Sequence, residues 1–224
     1  MARKPRRTDP SAPPAPLTAI KVRSVARALQ GILAQLQGGA AFQLTRLTRV
    51  KPLCADQAAA LQLATFLAGR ALVRLRANGQ QQPSFASAEQ WAALMALAPQ
   101  GVARLEQYLA DPTPELEWAL CEHAQALFRV QSQQQQIPYS AARVIVSWEA
   151  LLVETAIRLT LARRPEERAR YGYELTSDYV RRYRSNAGDG LNQDSAEPLA
   201  EVISFWMGYA DMLAAAEAVA KQAR

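Results

Sequence analysis

The residues with the most chemical potential in this 224-residue chain are one histidine, two cysteines and 26 lysines and arginines. Any serine or cysteine nucleophile activated by imidazole would have to use His123. Cys121 lies two positions before it in a stretch that reads as helix, and residues two apart on a helix point in different directions. His123 therefore reads as a core or boundary histidine. Glu122 directly precedes it, which is not the Glu-x-x-His spacing with which helical bundles hold paired metal ions. The segment Asn186–Asp194 has calcium-like residue types but lacks the alternating acids and terminal glutamate of an EF-hand loop, so it reads as a turn. Neither a Walker-type phosphate loop nor a dinucleotide-binding glycine pattern is present. These residues lead to the expectation of a protein that is not an enzyme, with no metal and no cofactor. Cys54 and Cys121 stand far apart and outside any Cys-x-x-Cys pair, so they read as thiols of a reducing, cytoplasmic compartment.

Binding chemistry is better represented than catalysis. Residues 1–112 carry 14 Lys/Arg against 5 Asp/Glu, a formal +9, while residues 113–224 carry 12 against 15, a formal −3. A cationic half suggests a polyanionic partner, DNA or RNA, held by its backbone phosphates. The candidate phosphate contacts are Arg3, Lys4, Arg6 and Arg7 in the tail, then Lys21, Arg23 and Arg27, then Arg46, Arg49 and Lys51, then Arg70, Arg74 and Arg76. The last three also fit a helix C-terminus, where cations complement the macrodipole. A second candidate patch comprises Arg168, Arg170, Tyr171, Tyr179, Arg181, Arg182 and Arg184, since tyrosine stacks on unpaired bases and arginine contacts phosphate. The competing reading of that patch is a salt-bridged amphipathic helix, with Glu174 and Asp178 as partners.

The elements that position these residues read as helices. Ala, Leu, Gln and Arg dominate the composition, and all are good helix formers. Residues 1–16 hold five prolines, four cations and nothing apolar to bury, and are expected to be a disordered basic tail. A first helix is expected over 18–37, closed by Gly38-Gly39. Residues 42–51 allow a short strand or a helical turn. A second helix is expected over 56–77. A third starts after Ser87, with Gln90 at the capping-box position, and Pro99 is expected to split it. Asp111-Pro112-Thr113-Pro114 breaks the chain, with Thr113 capping the next helix and Pro114 at its first position. That helix is expected to end near Gln133–Gln136. Further helices are expected over 140–164, 166–184 and 196–222.

The fold class is thus all-α, a bundle of about six to eight helices. The charge change coincides with the break at 111–114, which suggests a basic helical region over 17–111 and a helical bundle over 112–224. Two stretches, Val144–Ile157 and Val202–Leu213, are apolar on nearly all sides and are expected at the centre of that bundle. An alternative places one face of the last helix, through Phe205, Trp206, Tyr209 and Met212, against a second copy or another protein. That alternative makes the chain a helical adaptor. No segment reads as a membrane span.

Overall fold

A computed structural model describes residues 16–78, 86–132, 147–181 and 190–223. The tail, the glutamine run, residues 140–146 and Arg182–Asp189 lie outside the described residues. Eight α-helices are found among the described residues, with one two-residue strand pair, so the protein is an all-α multi-helix bundle.

Helix α1 spans Ala19–Gln37. Thr18 caps it, its side chain accepting from the Lys21 N–H. Val22, Ala26, Leu29, Ile32 and Leu36 recur every three or four residues and form its buried stripe. Gly39 takes a positive φ of 87°, which ends the helix in a conformation glycine adopts without a Cβ penalty.

The ambiguous segment that follows is both things in turn. Phe42–Gln43 is strand β1, paired antiparallel with β2, Gly190–Leu191. Leu44–Val50 is then a 3-10 helix. Its sequence, Leu-Thr-Arg-Leu-Thr-Arg-Val, has a period of three, which matches the three residues per turn of that helix. Leu47 and Val50 are buried, and Leu44 packs against the core. The four-residue α2, Lys51–Cys54, continues from it.

Helix α3 covers Gln57–Asn78 and α4 covers Ala88–Ala110. Ser87 caps α4, its hydroxyl accepting from Gln90 N at 3.1 Å. Pro99 does not split α4, contrary to the expectation from its ring and missing N–H. Leu94, Ala98, Val102 and Leu105 keep one buried face across the proline, so packing holds the helix together. His123 also contacts the turn around the proline, with Nε2 2.8 Å from the Leu97 carbonyl.

Helix α5 spans Pro114–Ser132, with the Thr113 side chain accepting from Leu116 N. Helix α6 is shorter than expected. It runs from Trp148 to Leu161, because Ser147 is extended and caps it through Ala150 N. The buried Gln131 side chain fixes that start. Its amide donates to the Ser147 carbonyl at 2.8 Å and accepts from the Ser147 N–H at 3.2 Å. Helix α7 spans Pro165–Arg181 and α8 spans Ala196–Gln222.

Helix α6 is the central element, packed against α3, α4, α5 and α7. Small residues permit this. Ala59, Ala60, Ala64, Ala68 and Ala71 of α3 are buried, and a Cβ on Gly101 of α4 would lie 2.8 Å from Val153 Cγ1. Gly172 likewise lets α7 lie on α2, where a Cβ would meet Cys54 Cβ and Sγ. Helix α8, expected at the centre, instead lies against α1. Arg23 pairs with Asp211 at 2.8 Å, and Ala19 N donates to Glu217 at 3.1 Å. Helices from both charge halves therefore share one core, and the break at 111–114 is a turn between α4 and α5.

By length and composition alone, two stretches could cross a membrane, Gln57–Ala77 and Gln193–Gln222. The first is α3, half of whose span is buried within the fold. The second carries Asp211, Glu217 and Lys221 in its C-terminal half, with Asp211 and Lys221 exposed.

Candidate polyanion-binding surface

The 3-10 helix sets the geometry of the most open cationic group. Side chains three apart eclipse in such a helix. Leu47 and Val50 therefore share the inner face, while Arg46 and Arg49 share an exposed outer one. At about 2.0 Å rise per residue, their positions are roughly 6 Å apart along the axis. Thr48 braces the turn by donating to the Thr45 carbonyl at 2.7 Å. Lys51 follows at the start of α2, and its Nζ lies 4.7 Å from the centre of the Tyr173 ring. Arg46 lies 5.8 Å from the centre of the Phe42 ring. The 3-10 helix packs against α7, so Tyr173 and the half-exposed face of α7 border this ridge. None of Arg46, Arg49 and Lys51 pairs with a carboxylate among the described residues.

The other cations named from sequence divide by their partners. Lys21 and Arg27 are exposed on α1, and Arg23 is held by Asp211. Arg70 and Arg74 both pair with Glu201 of α8, and Arg76 is exposed at the end of α3. The Glu201 hydrogen bond raises the Arg70 pKa, with burial opposing and Coulombic attraction to Glu201 and Glu197 adding to it. Glu201 also accepts from the Tyr179 hydroxyl, and Arg74 stacks on that ring with 4.0 Å to its centre. These residues clamp α3, α7 and α8 together. Arg3, Lys4, Arg6, Arg7, Arg182 and Arg184 lie outside the described residues.

The second patch is corrected at two positions. Arg168 is only 8% exposed and donates to the carbonyls of Ala55, Ala162 and Arg163. It caps the end of α6 instead of facing solvent. Tyr179 is fully buried. Arg170 is exposed beside Tyr171, 4.4 Å from its ring centre, with Glu174 3.8 Å away. Arg181 is half-buried at the end of α7. Next to it, burial pushes the Asp178 carboxyl up to about 6, with Arg181 pulling down and Glu174 pushing up.

The interface residues named on α8 also separate. Trp206 and Tyr209 are buried inside this chain, and Phe205 stacks on Phe66 of α3 at 5.0 Å. Trp206 and Tyr209 cannot offer their rings to a partner without opening the core, whereas Phe205 is half-buried. Met212 alone among them is well exposed, at 50%. Burial, and then Asp56, raises the Tyr209 hydroxyl to about 12.

His123 is buried, as its helical setting suggested. Its Nδ1 is 3.4 Å from Arg104 Nη1, which fits a ring that donates from Nε2 to Leu97 and accepts at Nδ1. Burial lowers its pKa, the Leu97 bond opposes that and Arg104 adds to it. Such a neutral, internally spent imidazole is a packing element between α4 and α5. Burial alone raises the Cys54 thiol far above its ordinary value, so Cys54 is a core residue.

One surface feature had no counterpart in the sequence reading. The outer face of α5 borders two adjoining troughs, of about 570 and 430 Å³, which share Cys121 and Leu161. Trp118 stands 68% exposed in the smaller one and Phe128 41% exposed in the larger. The spacing of Trp118, Cys121 and Phe128 was the available signal, an apolar run interrupted by Gln125 on the side of α5 away from Leu120, His123 and Leu127.

Comparison with protein-family models, with curated proteins and with solved structures returns no match.

Proposed function

We propose that the protein is non-enzymatic and binds the phosphate backbone of DNA or RNA with little sequence readout. The observation that carries this reading is the cationic ridge of Arg46, Arg49 and Lys51, fixed by the period-three segment and left without carboxylate partners among the described residues. The basic tail, with Arg3, Lys4, Arg6 and Arg7, adds charge that can follow a polymer. Backbone phosphates need point charges and forks, not a shaped pocket, which suits an open ridge. The test is a fluorescence-anisotropy titration of the full chain against DNA and RNA over a salt series. Affinity should fall steeply as salt rises. An absence of binding at about 50 mM salt, or binding indifferent to salt, rejects the proposal.

A second reading, a helical adaptor for another protein, is favoured by the α5 troughs and the exposed Trp118. Copurification from the native host with and without nuclease separates the two. A partner retained after nuclease favours the adaptor, and material lost on nuclease favours the ridge.

A further inference from the structure

A small polar cleft of about 200 Å³, lined by none of the ridge's cations, lies where five elements meet. Gln57 comes from the start of α3, Tyr108 from α4, Glu117 from α5, Thr160 from the end of α6, and Arg168 from α7. Arg163, in the α6–α7 connection, closes its rim and pairs with Glu117 at 2.7 Å. Thr160 is spent on the Ala156 carbonyl at 3.0 Å.

Three donors in this lining are not spent. Arg168 uses Nε and Nη1 on backbone carbonyls, and Nη2 has no hydrogen-bond partner among the described residues. The same holds for the Tyr108 hydroxyl, on a half-buried side chain, and for the Gln57 amide, on an exposed one. The carbonyls that hold Arg168 explain its position as the cap of α6, but they bring no counter-charge. Arg168 is 8% exposed as a residue, and its spare Nη2 is not sealed from solvent, so the free edge of this cation is open to an anion entering the cleft. Glu117 does not supply the counter-charge, because Arg163 already neutralises it. The cleft therefore carries about one uncompensated positive charge and unspent donors from three different helices.

We infer that this cleft binds a small anion through a carboxylate or phosphate group, with Arg168 as the charged anchor and Tyr108 and Gln57 as neutral donors. Its size excludes a polymer and suits a ligand of a few heavy atoms. The inference does not depend on nucleic-acid binding, which uses a different surface.

Isothermal titration calorimetry of the full chain at low ionic strength tests it, with inorganic phosphate and acetate as separate probes. Saturable one-site binding is expected for at least one of them. Tyr108→Phe keeps the ring and removes one donor, and should weaken binding by about two- to tenfold. Arg168→Gln should abolish binding. If that variant loses its helical circular dichroism, Tyr108→Phe carries the test. The triple variant Arg46→Gln, Arg49→Gln, Lys51→Gln should bind the probe as the parent does. No saturable heat from either probe up to about 10 mM overturns the inference. So does an affinity that survives Tyr108→Phe unchanged but is lost in the triple variant, because the ion then sits on the ridge.

Discussion

Replacing Glu201 with alanine probes the joint between α3, α7 and α8. Glu201 is 18% exposed and accepts from three groups at once. The Tyr179 hydroxyl, on a fully buried ring, would lose its acceptor, which costs about 1–3 kcal/mol. Arg74, itself 17% exposed, would lose a charged partner 3.4 Å away, worth roughly 1–2 kcal/mol in that setting. Arg70 is 45% exposed, so its pair contributes at most about 1 kcal/mol. These losses overlap, and a total of about 3 kcal/mol is expected. Urea denaturation followed by circular dichroism measures it as a lower midpoint with an unchanged slope. A loss below about 0.5 kcal/mol would refute the clamp. The clamp also implies that Arg70→Gln leaves nucleic-acid affinity nearly unchanged, since that cation already has its counter-charge.

Trp206→Ala should cost about 3–5 kcal/mol in the same assay, because the ring is fully buried among Phe205 and Tyr209. Trp206→Phe should cost much less, since the indole N–H is buried without a partner and its removal is favourable. Light scattering should show the same oligomeric state for all three proteins. Asp178 gives a pH dependence with a defined sign. Its folded pKa of about 6 lies above the ordinary 3.8, so the folded state binds the extra proton between those values. Its contribution is therefore full below about pH 4 and is lost as pH rises through about 6, by at most about 3 kcal/mol. Asp178→Asn should match the parent near pH 4 and exceed it near pH 8, read from denaturation midpoints at each pH. Equal differences at both pH values would contradict the burial argument.

Local chemistry made much of the fold legible. Ser87 and Thr113 cap helices where the sequence placed them, the helix expected from 18 starts at Ala19 with Thr18 as its cap, and Gly38-Gly39 and the Asp111–Pro114 break end elements as expected. The failures have a common physical origin in contacts distant along the chain. Pro99 stays inside α4 because packing on both sides outweighs one missing hydrogen bond. The start of α6 depends on Gln131, sixteen residues earlier, making strand-like bonds to Ser147. Helix α8 is apolar on several sides yet lies beside α1, because α1 supplies the stripe that covers it. At the candidate site, residue type identified the cations, but only tertiary placement sorted them. Nothing near Arg70 in sequence announces Glu201, and nothing near Arg168 announces Ala55. The ridge was only partly readable: residues 42–51 allowed a short strand or a helical turn, and the period of three in Leu-Thr-Arg-Leu-Thr-Arg-Val resolves into a 3-10 helix only once Leu47 and Val50 are packed on the core.

The ridge is tested most directly by comparing the salt dependence of nucleic-acid affinity for the parent with that of the Arg46→Gln, Arg49→Gln, Lys51→Gln variant. If the three cations each contact a phosphate, the slope of log affinity against log salt should fall by about 2–3, since each contact contributes about 0.7–0.9. Affinity should drop correspondingly at low salt, with the helical circular dichroism unchanged. A variant that keeps both the affinity and the slope of the parent would contradict the assignment of phosphate binding to this ridge.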